Sequence, residues 1–139
     1  MSDAMPETPA GVIAYLTVKD GAAAVDFYQR AFGATLQYTA MADDGKRYLH
    51  ARLLVNGGTL MLSDDFPEYA GGASQAPDPA HPRGIVLHMQ VANCDTTFNT
   101  AVAAGATARM PPADMFWGDR YAQLVDPFGH VWSLAHALK

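Results

Sequence analysis

The sequence is poor in the residue types that disulfides and most metal sites require. Its 139 residues include one cysteine and only two glutamates. The single thiol, Cys94, can form neither an internal disulfide nor a cysteine cluster for zinc. Glu7 lies in the N-terminal tail and Glu68 in a proline-rich stretch, so no glutamate lies on a predicted strand. These absences argue against a disulfide scaffold and against a metal site built from glutamates on strands.

The chain also lacks an excess of positive charge and long apolar runs. Nine Lys and Arg against 14 Asp and Glu give a formal net charge of -5. We therefore predict no nucleic-acid partner and no membrane partner, because both surfaces are anionic. No segment approaches the roughly 20 apolar residues of a membrane span. The start of the chain is also unlike a secretory signal. We expect a cytoplasmic protein that forms a single domain over residues 1–139.

The first half predicts one strand, one helix and three further strands. Residues 11–18 are rich in β-branched and aromatic residues and predict a strand that is buried on both faces. A helix is predicted to begin after a capping Asp20 and to end at Gly33, with apolar residues at the three and four spacing between them. Asn56-Gly57 predicts a tight hairpin. The three further strands are predicted at residues 34–41, 47–55 and 59–63.

The second half repeats this order after a connecting loop. Residues 64–83 hold four of the nine prolines and have little periodicity, which predicts a linker. Residues 84–91 resemble residues 11–18, and Asn93 and Gly105 are the predicted limits of a second helix. Two prolines in the next segment indicate an edge strand or a bulge. The remaining strands are predicted at residues 107–117, 119–125 and 130–138.

The chain therefore predicts an α+β fold with an internal duplication. We expect module one at about 11–63, the linker at 64–83 and module two at about 84–136, each with the order βαβββ. One module cannot cover its own sheet face, so two modules are expected to pair around a concave surface, with the helices on the outside. Concave surfaces bind ligands. A long linker also allows pairing across chains, so we predict a homodimer.

Two motifs resemble a known family. Val18-Lys19-Asp20 followed by AVDFYQRAFGAT, and the closing WGDRYAQLVDPFGHVWSL, resemble the vicinal oxygen chelate superfamily and within it the PhnB-like branch of small bacterial proteins. The resemblance covers nearly all of residues 11–136. It implies the paired-module fold and a functional range that includes glyoxalase I, bleomycin- and fosfomycin-resistance proteins and extradiol dioxygenases. It does not single out one reaction.

The resemblance also implies four inward-facing metal-ligand positions, two in each half. Alignment of the motifs places them at Ile13, Met61, Val86 and Ser133. None of these side chains is a ligand of the His, Glu or Gln type that the family uses, so we predict that the protein has no metal and no other cofactor. A shift of two residues would bring in His88, which shares a strand face with Val86. One histidine does not make a metal site.

Three further side chains are candidates for chemistry: Tyr15 on the first predicted strand, His50 on the third, and His88 on the first strand of the second half. His88 lies in an apolar strand, where it is either a general base or ligand contact, or a core histidine bonded to a neighbour. His50 shares a strand face with Tyr48 and Arg52, a polar stripe that either lines the cavity or faces water. Tyr15 shares the face of Ile13 and is predicted to point into the cavity.

The segment from Phe116 to Tyr121 has the composition of a rim that grips a ligand. Trp117 and Tyr121 supply aromatic surface, and Gln123 supplies an amide on the face of Tyr121. The alternative is a strand edge held by packing, with Asp119 and Arg120 as an exposed ion pair of little energetic value. We predict that the ligand-binding residues converge on one cavity: Tyr15, Met61, Trp117, Tyr121, Gln123 and Ser133, with His88 as the catalytic candidate.

These features predict that the protein binds a small molecule in a metal-free cavity, as the bleomycin-resistance proteins do. One alternative is a lyase or isomerase that uses His88 with an atypical metal arrangement or none. Another is an inert structural or regulatory dimer. The sequence contains no glycine-rich phosphate loop, no GxSxG motif and no pair of acids on strands, so nucleotide hydrolysis, serine-triad acyl transfer and glycoside cleavage have no support.

Overall fold

A computed structural model describes residue 7 and residues 9–139. The chain divides into two compact units. The first runs to Ala76 without residues 30–32, and the second consists of those three residues and Pro77–Lys139. Each unit contains one four-stranded mixed sheet.

The first unit has the predicted order of one strand, one helix and three strands. Strand β1 is an edge strand and pairs in parallel with β4. Strand β3 is antiparallel to both β4 and β2, which gives the sheet order β1-β4-β3-β2. The loop after β4 contains a short 3₁₀ helix, Pro67–Tyr69. The bounds are β1 Ala14–Val18, α1 Gly21–Phe32, β2 Thr35–Met41, β3 Tyr48–Val55 and β4 Gly58–Asp64.

The second unit repeats this connectivity. Its sheet has the order β5-β8-β7-β6, with β5 parallel to β8 and the other pairs antiparallel. Helix α2 lies against the last three strands. The predicted α+β fold with two βαβββ modules is therefore confirmed. The bounds are β5 Val86–Gln90, α2 Cys94–Ala104, β6 Thr107–Asp114, β7 Asp119–Val125 and β8 Val131–Ala137.

The helix ends lie where the capping residues predict them. The Asp20 carboxylate accepts a hydrogen bond from the backbone N–H of Ala23, and Gly33 ends α1 in the left-handed conformation with φ of 68°. Asn93 caps α2 in the same way, by accepting from the backbone N–H of Thr96, and Gly105 ends it. Both helices are thus limited by residues that the local sequence supplies.

Strand β1 differs from its prediction, because it is buried on one face only, and the equivalent strand β5 shows the same pattern. In β1, Leu16 and Val18 are buried, whereas Tyr15 is 54% exposed. In β5, Met89 is buried while His88 is exposed. Side chains of a strand alternate between the two faces of a sheet, so an apolar run does not by itself show that both faces are covered. Tyr15 and His88 therefore project from the sides of these two strands that are open to solvent.

The remaining irregular features follow from proline and glycine. Asn56 and Gly57 both have positive φ, 49° and 82°, as the two central residues of a type I′ hairpin turn do. The pairing of β6 with β7 is irregular between Met110 and Ala113, where the two prolines lie, and β6 is an edge strand as predicted. No helix among the described residues is long and apolar enough to cross a membrane.

Candidate functional site

Strand pairing in the second sheet places several predicted site residues on one face. His88 on β5 is in register with Ser133 on β8, and Ser133 is in register with Gln123 on β7. Residues in register project from the same face of a sheet. Tyr121, two residues before Gln123, projects from that face as well. Three strands that are distant in sequence thus contribute to one surface.

His88 is held at both ring nitrogens. Its Nε2 lies 2.6 Å from Oε1 of Gln90, and its Nδ1 lies 2.7 Å from the hydroxyl oxygen of Ser133. An amide oxygen can only accept, so Nε2–H donates to Oε1 of Gln90. The Ser133 hydroxyl can donate to Nδ1 or accept from it, so this contact holds the ring whether or not Nδ1 carries a proton. Ser133 is only 2% exposed, so one of the two groups that hold the His88 ring is a buried hydroxyl.

Aromatic rings extend the same surface. The ring of Tyr121 stacks beside that of His88, with centroids 6.3 Å apart and planes at 17°. Trp117 meets Tyr121 edge to face at 5.7 Å, and its side chain is 52% exposed. The Gln123 amide donates a 2.8 Å hydrogen bond to the Tyr121 hydroxyl oxygen. We call the surface formed by His88, Trp117, Tyr121, Gln123 and Ser133 the His88–Tyr121 face.

Gln90 is part of this arrangement but was missed by the sequence analysis. It follows His88 by two residues and is exposed like it. The period of two in a strand is the signal that could have identified it, because residues two apart share a face. Of the remaining histidines, His136 accepts a 2.7 Å hydrogen bond at Nδ1 from the backbone N–H of Cys94, at the start of α2.

Asp119 and Arg120, which form an exposed ion pair in the alternative interpretation of this segment, have other partners. Adjacent strand residues project from opposite faces. Asp119 instead accepts a 3.2 Å hydrogen bond from the Trp117 indole. The Arg120 guanidinium donates through Nε and Nη2 to the two carboxylate oxygens of Asp95, at 2.8 Å each. Its Nη1 donates to the carboxylate of Asp114 at 3.0 Å. The bond to Arg120 lowers the pKa of Asp95.

The other two predicted ligand-binding residues belong to the first sheet. Tyr15 on β1 is in register with Met61 on β4, Met61 with Arg52 on β3, and Arg52 with Tyr38 on β2. His50, two residues before Arg52, projects from the same face. The Tyr15 hydroxyl lies 2.8 Å from His50 Nδ1, and the two rings are 5.4 Å apart.

Of the two alternatives for the polar stripe, Arg52 does not fit a surface that faces water, whereas His50 is partly exposed. Arg52 is 2% exposed, and His50 is half-buried against Tyr15. Burial lowers the pKa of His50, and the positive charge of Arg52 lowers that pKa further. Burial also raises the pKa of Tyr15. Both shifts favour the uncharged forms, so at neutral pH a protonated tyrosine hydroxyl and a neutral imidazole share this hydrogen bond.

The donors at the family-type metal positions do not fit a metal centre. On the strand beside Met61 lies Tyr15, and beside Ser133 lies His88, whereas Val86 is in register with Val131. A thioether and two hydroxyls leave one imidazole as the strong donor, and both its nitrogens are engaged. Within residue 7 and residues 9–139, no three His, Cys, Asp or Glu side chains form a group that could hold a metal.

A separate groove of about 390 Å³ lies on the first unit. The groove contains none of the predicted site residues. Its arginine, Arg47, lies 4.3 Å from the centroid of the Phe66 ring and pairs with Asp44 and Glu68. The lining residues are Ala42, Asp43, Asp44, Arg47, Leu49, Phe66 and Tyr69.

Comparison with known proteins supports the fold and shows the family. An uncharacterised protein of Mycobacterium bovis is 42% identical over 125 residues, which cover 90% of this chain and 82% of that protein. Among solved structures, TioX of Micromonospora is 27% identical with a TM-score of 0.69, over 94% of this chain and all of TioX.

A structure from Bacillus cereus, described as a putative 3-demethylubiquinone-9 3-methyltransferase and PhnB protein, is 18% identical with a TM-score of 0.69. That alignment covers 92% of this chain and all of the other, and it indicates a shared fold alone. Residues 11–134 match the model of one protein family. The chain therefore belongs to the Glyoxalase/Bleomycin resistance protein/Dioxygenase superfamily.

Proposed function

We propose that this protein binds a small polar molecule with an aromatic or other flat apolar part on the His88–Tyr121 face, without a metal. One observation carries the proposal. Five side chains from three strands and one loop form a continuous polar and aromatic surface, and several of its members remain exposed to solvent. Large exposed aromatic surface beside oriented polar groups is typical of a binding site.

The components of the face have distinct roles in this proposal. The rings of Trp117 and Tyr121 provide stacking area for the apolar part of the ligand. The amide of Gln123 and the imidazole of His88 provide hydrogen bonds that fix its orientation. Because Ser133 and Gln90 already hold the His88 ring, little side-chain entropy is lost when a ligand contacts it. Contributions of Tyr15 and Met61 to ligand binding stay predictions.

The contacts of His88 favour binding over proton transfer. A general base needs a free lone pair, but Nε2 of His88 carries the proton that is donated to Gln90, and Nδ1 is engaged in the hydrogen bond with Ser133. A lyase or isomerase that uses His88 would have to break the contact with Ser133 before it could take a proton from a substrate. The catalytic role of His88 therefore remains the alternative.

A fluorescence-detected thermal shift screen with small aromatic alcohols, amides and heterocycles tests the proposal, followed by calorimetric titration of each hit. Trp117→Ala and His88→Ala should each weaken binding about tenfold or more, because each removes a contact worth roughly 1.5 kcal/mol. Trp117→Ala should change the melting temperature little, because the Trp117 side chain is exposed. His88→Ala should lower it by no more than a few degrees, because the buried Ser133 hydroxyl loses its imidazole partner. Tyr69→Ala, which removes an exposed aromatic side chain from the groove of the first unit, is the matched control and should leave affinity unchanged.

Two results would contradict the proposal. If both variants bind like the wild type and melt at much lower temperature, these residues are structural and the inert-dimer alternative is favoured. If elemental analysis of the purified protein finds one tightly held divalent metal per chain, the metal-free part is wrong and His88 is the first ligand to examine. A cytoplasmic location is also part of the proposal, supported by the buried and unpaired thiol of Cys94.

A further inference from the structure

Arg52 is a buried guanidinium without an anionic partner among the described residues. It is 2% exposed, and its Nη2 donates a 3.1 Å hydrogen bond to the backbone carbonyl of Glu7. Its Nε has no hydrogen-bond partner and is completely covered. A guanidinium cannot lose its charge in a protein, and an unpaired buried charge is costly. A neutral carbonyl compensates that cost only in part.

Two other arginines of the same chain have carboxylate partners and can be compared with Arg52. Nε and Nη2 of Arg120 bind the two oxygens of one carboxylate, that of Asp95. Arg47 pairs with two carboxylates, those of Asp44 and Glu68. The side chains of Arg120 and Arg47 are 29% and 33% exposed, so both have less need of a partner than Arg52. Among the described residues, no carboxylate pairs with Arg52, although it is the most buried of the three arginines.

The surroundings of Arg52 offer further contacts for a ligand. It lies in the row that runs from Tyr15 through Met61 to Tyr38, and this row opens to solvent at Tyr15. The neutral His50 lies close enough for the charge of Arg52 to lower the pKa of the imidazole. In register, Tyr38 is next to Arg52 on one side, and Met61 followed by Tyr15 lies on the other, so this row offers apolar contact for the body of a small organic acid. No carboxylate of the described residues pairs with Arg52 here.

We propose that Arg52 is the anchor of a second site, which binds the carboxylate of a small organic acid on the Tyr15 face of the first sheet. Because Arg52 is covered in this structure, binding requires the backbone at Glu7 to move away from the guanidinium. One carboxylate oxygen then takes the place of the Glu7 carbonyl on Nη2, and the other binds Nε. This is the fork arrangement that Arg120 makes with Asp95. The body of the acid lies against Tyr15 and Tyr38. This site is separate from the His88–Tyr121 face.

Benzoate and benzamide, which share a ring and differ in charge, are the matched probes. In ¹H–¹⁵N spectra that detect arginine Nε–H groups, benzoate should shift the Arg52 resonance. It should also bind at least about tenfold more tightly than benzamide, since a hydrogen bond between charged groups is the stronger one. Inorganic phosphate is the second anion: tighter binding of phosphate than of benzoate would contradict the assignment to organic acids.

Three variants complete the test. Arg52→Met keeps the volume and removes the charge, so the preference for benzoate should disappear. Arg52→Lys keeps the charge without the fork and should retain a weakened preference, which keeps the test decisive if Arg52→Met fails to fold. Arg83→Met, at an exposed loop arginine, should behave like the wild type.

The proposal is overturned if benzamide shifts the Arg52 resonance as much as benzoate does, if no anion shifts it, or if Arg52→Met retains the preference. The variants of His88 and Trp117 test the second sheet, so the two proposals can fail separately.

Discussion

The carboxylate of Asp126 organises the turn between β7 and β8. It is 1% exposed and accepts hydrogen bonds from the backbone N–H groups of Phe128 and His130, at 2.9 and 3.0 Å. Its second oxygen accepts a 2.9 Å bond from the indole of the buried Trp132. Removing this carboxylate would take an acceptor away from three donors, which are the backbone N–H groups of Phe128 and His130 and the indole N–H of Trp132.

We therefore expect Asp126→Ala to lower the free energy of unfolding by about 3 kcal/mol, because buried donors that lose their acceptor are costly. Urea denaturation followed by circular dichroism measures the change. Asp119→Ala is the matched control, since Asp119 also accepts from an indole, that of Trp117, but at the surface. Its cost should stay below about 0.5 kcal/mol. Equal costs for the two variants would show that the Asp126 contacts do not stabilise the fold.

His50 is expected to respond to pH in a way that reports on Arg52. Its pKa lies below the ordinary value of 6.5, because burial and the charge of Arg52 disfavour the imidazolium. The unfolded chain therefore takes up this proton at a higher pH than the folded protein does. The stability that the neutral His50 provides is present above pH 6.5 and is lost as the pH falls from that value toward the folded pKa.

Titration of the histidine ring protons by NMR tests this expectation. His50 should titrate below pH 6.5, and Arg52→Met should raise its pKa because the repulsion is removed. His81 is the control histidine, because it lies in the exposed loop beside Asp78 and away from Arg52 in sequence. An unchanged His50 pKa in Arg52→Met would mean that the arginine charge does not reach the imidazole.

At the scale of elements, the Asp64 carboxylate contacts the first residue of helix α1, Gly21. One oxygen of the Asp64 carboxylate accepts a 2.9 Å hydrogen bond from the backbone N–H of Gly21, and the other accepts a 2.6 Å bond from that of Tyr48. A Cβ added to Gly21 would lie 2.5 Å from this carboxylate and 2.9 Å from the Tyr48 ring. Glycine at the start of α1 is therefore required by close packing rather than by backbone conformation.

Gly21→Ala should consequently destabilise the protein by about 1 to 3 kcal/mol, although alanine is the better helix former. Thermal and urea unfolding measure the effect. Gly58→Ala is the matched control, since its nearest neighbour atom would be the Val55 carbonyl oxygen at an ordinary 3.6 Å. That substitution should change the stability by no more than about 0.5 kcal/mol. A stabilised Gly21→Ala protein would refute the role assigned to Asp64.

At the scale of the whole molecule, exposed apolar side chains support the predicted homodimer. Strand β5 is an edge strand, and Ile85 immediately before it is 72% exposed. Edge strands and exposed apolar residues favour association between chains. Sedimentation at micromolar concentration should therefore give twice the chain mass of 14.9 kDa.

Ile85→Asp should shift this dimer toward the monomer, because a charge would have to be buried at the interface. Val102→Asp on the exposed side of α2 is the control and should leave the mass unchanged. A wild-type protein that sediments as a monomer at these concentrations would contradict the homodimer. That result would not test the predicted boundaries of the two modules and the linker.

The ends of the helices and the duplication were predictable from the sequence, because both depend on residues that are close along the chain. Asp20 and Gly33 limit α1, and Asn93 and Gly105 limit α2, through hydrogen bonds to neighbouring backbone groups. The repeat of this pattern in the two halves was enough to predict two similar modules, and the closing motif was enough to predict the family.

Only the tertiary structure decided which side chains meet. His88 and Ser133 are separated by 45 residues, and Tyr15 and His50 by 35. Their contacts depend on strand register, which a sequence does not state because a shift of one residue reverses every side chain. The same holds for Arg52: its alternation with leucines suggested a solvent-facing stripe, but the packing around the first sheet buried its charge. Burial is a property of the neighbours in space, and those neighbours are distant in sequence.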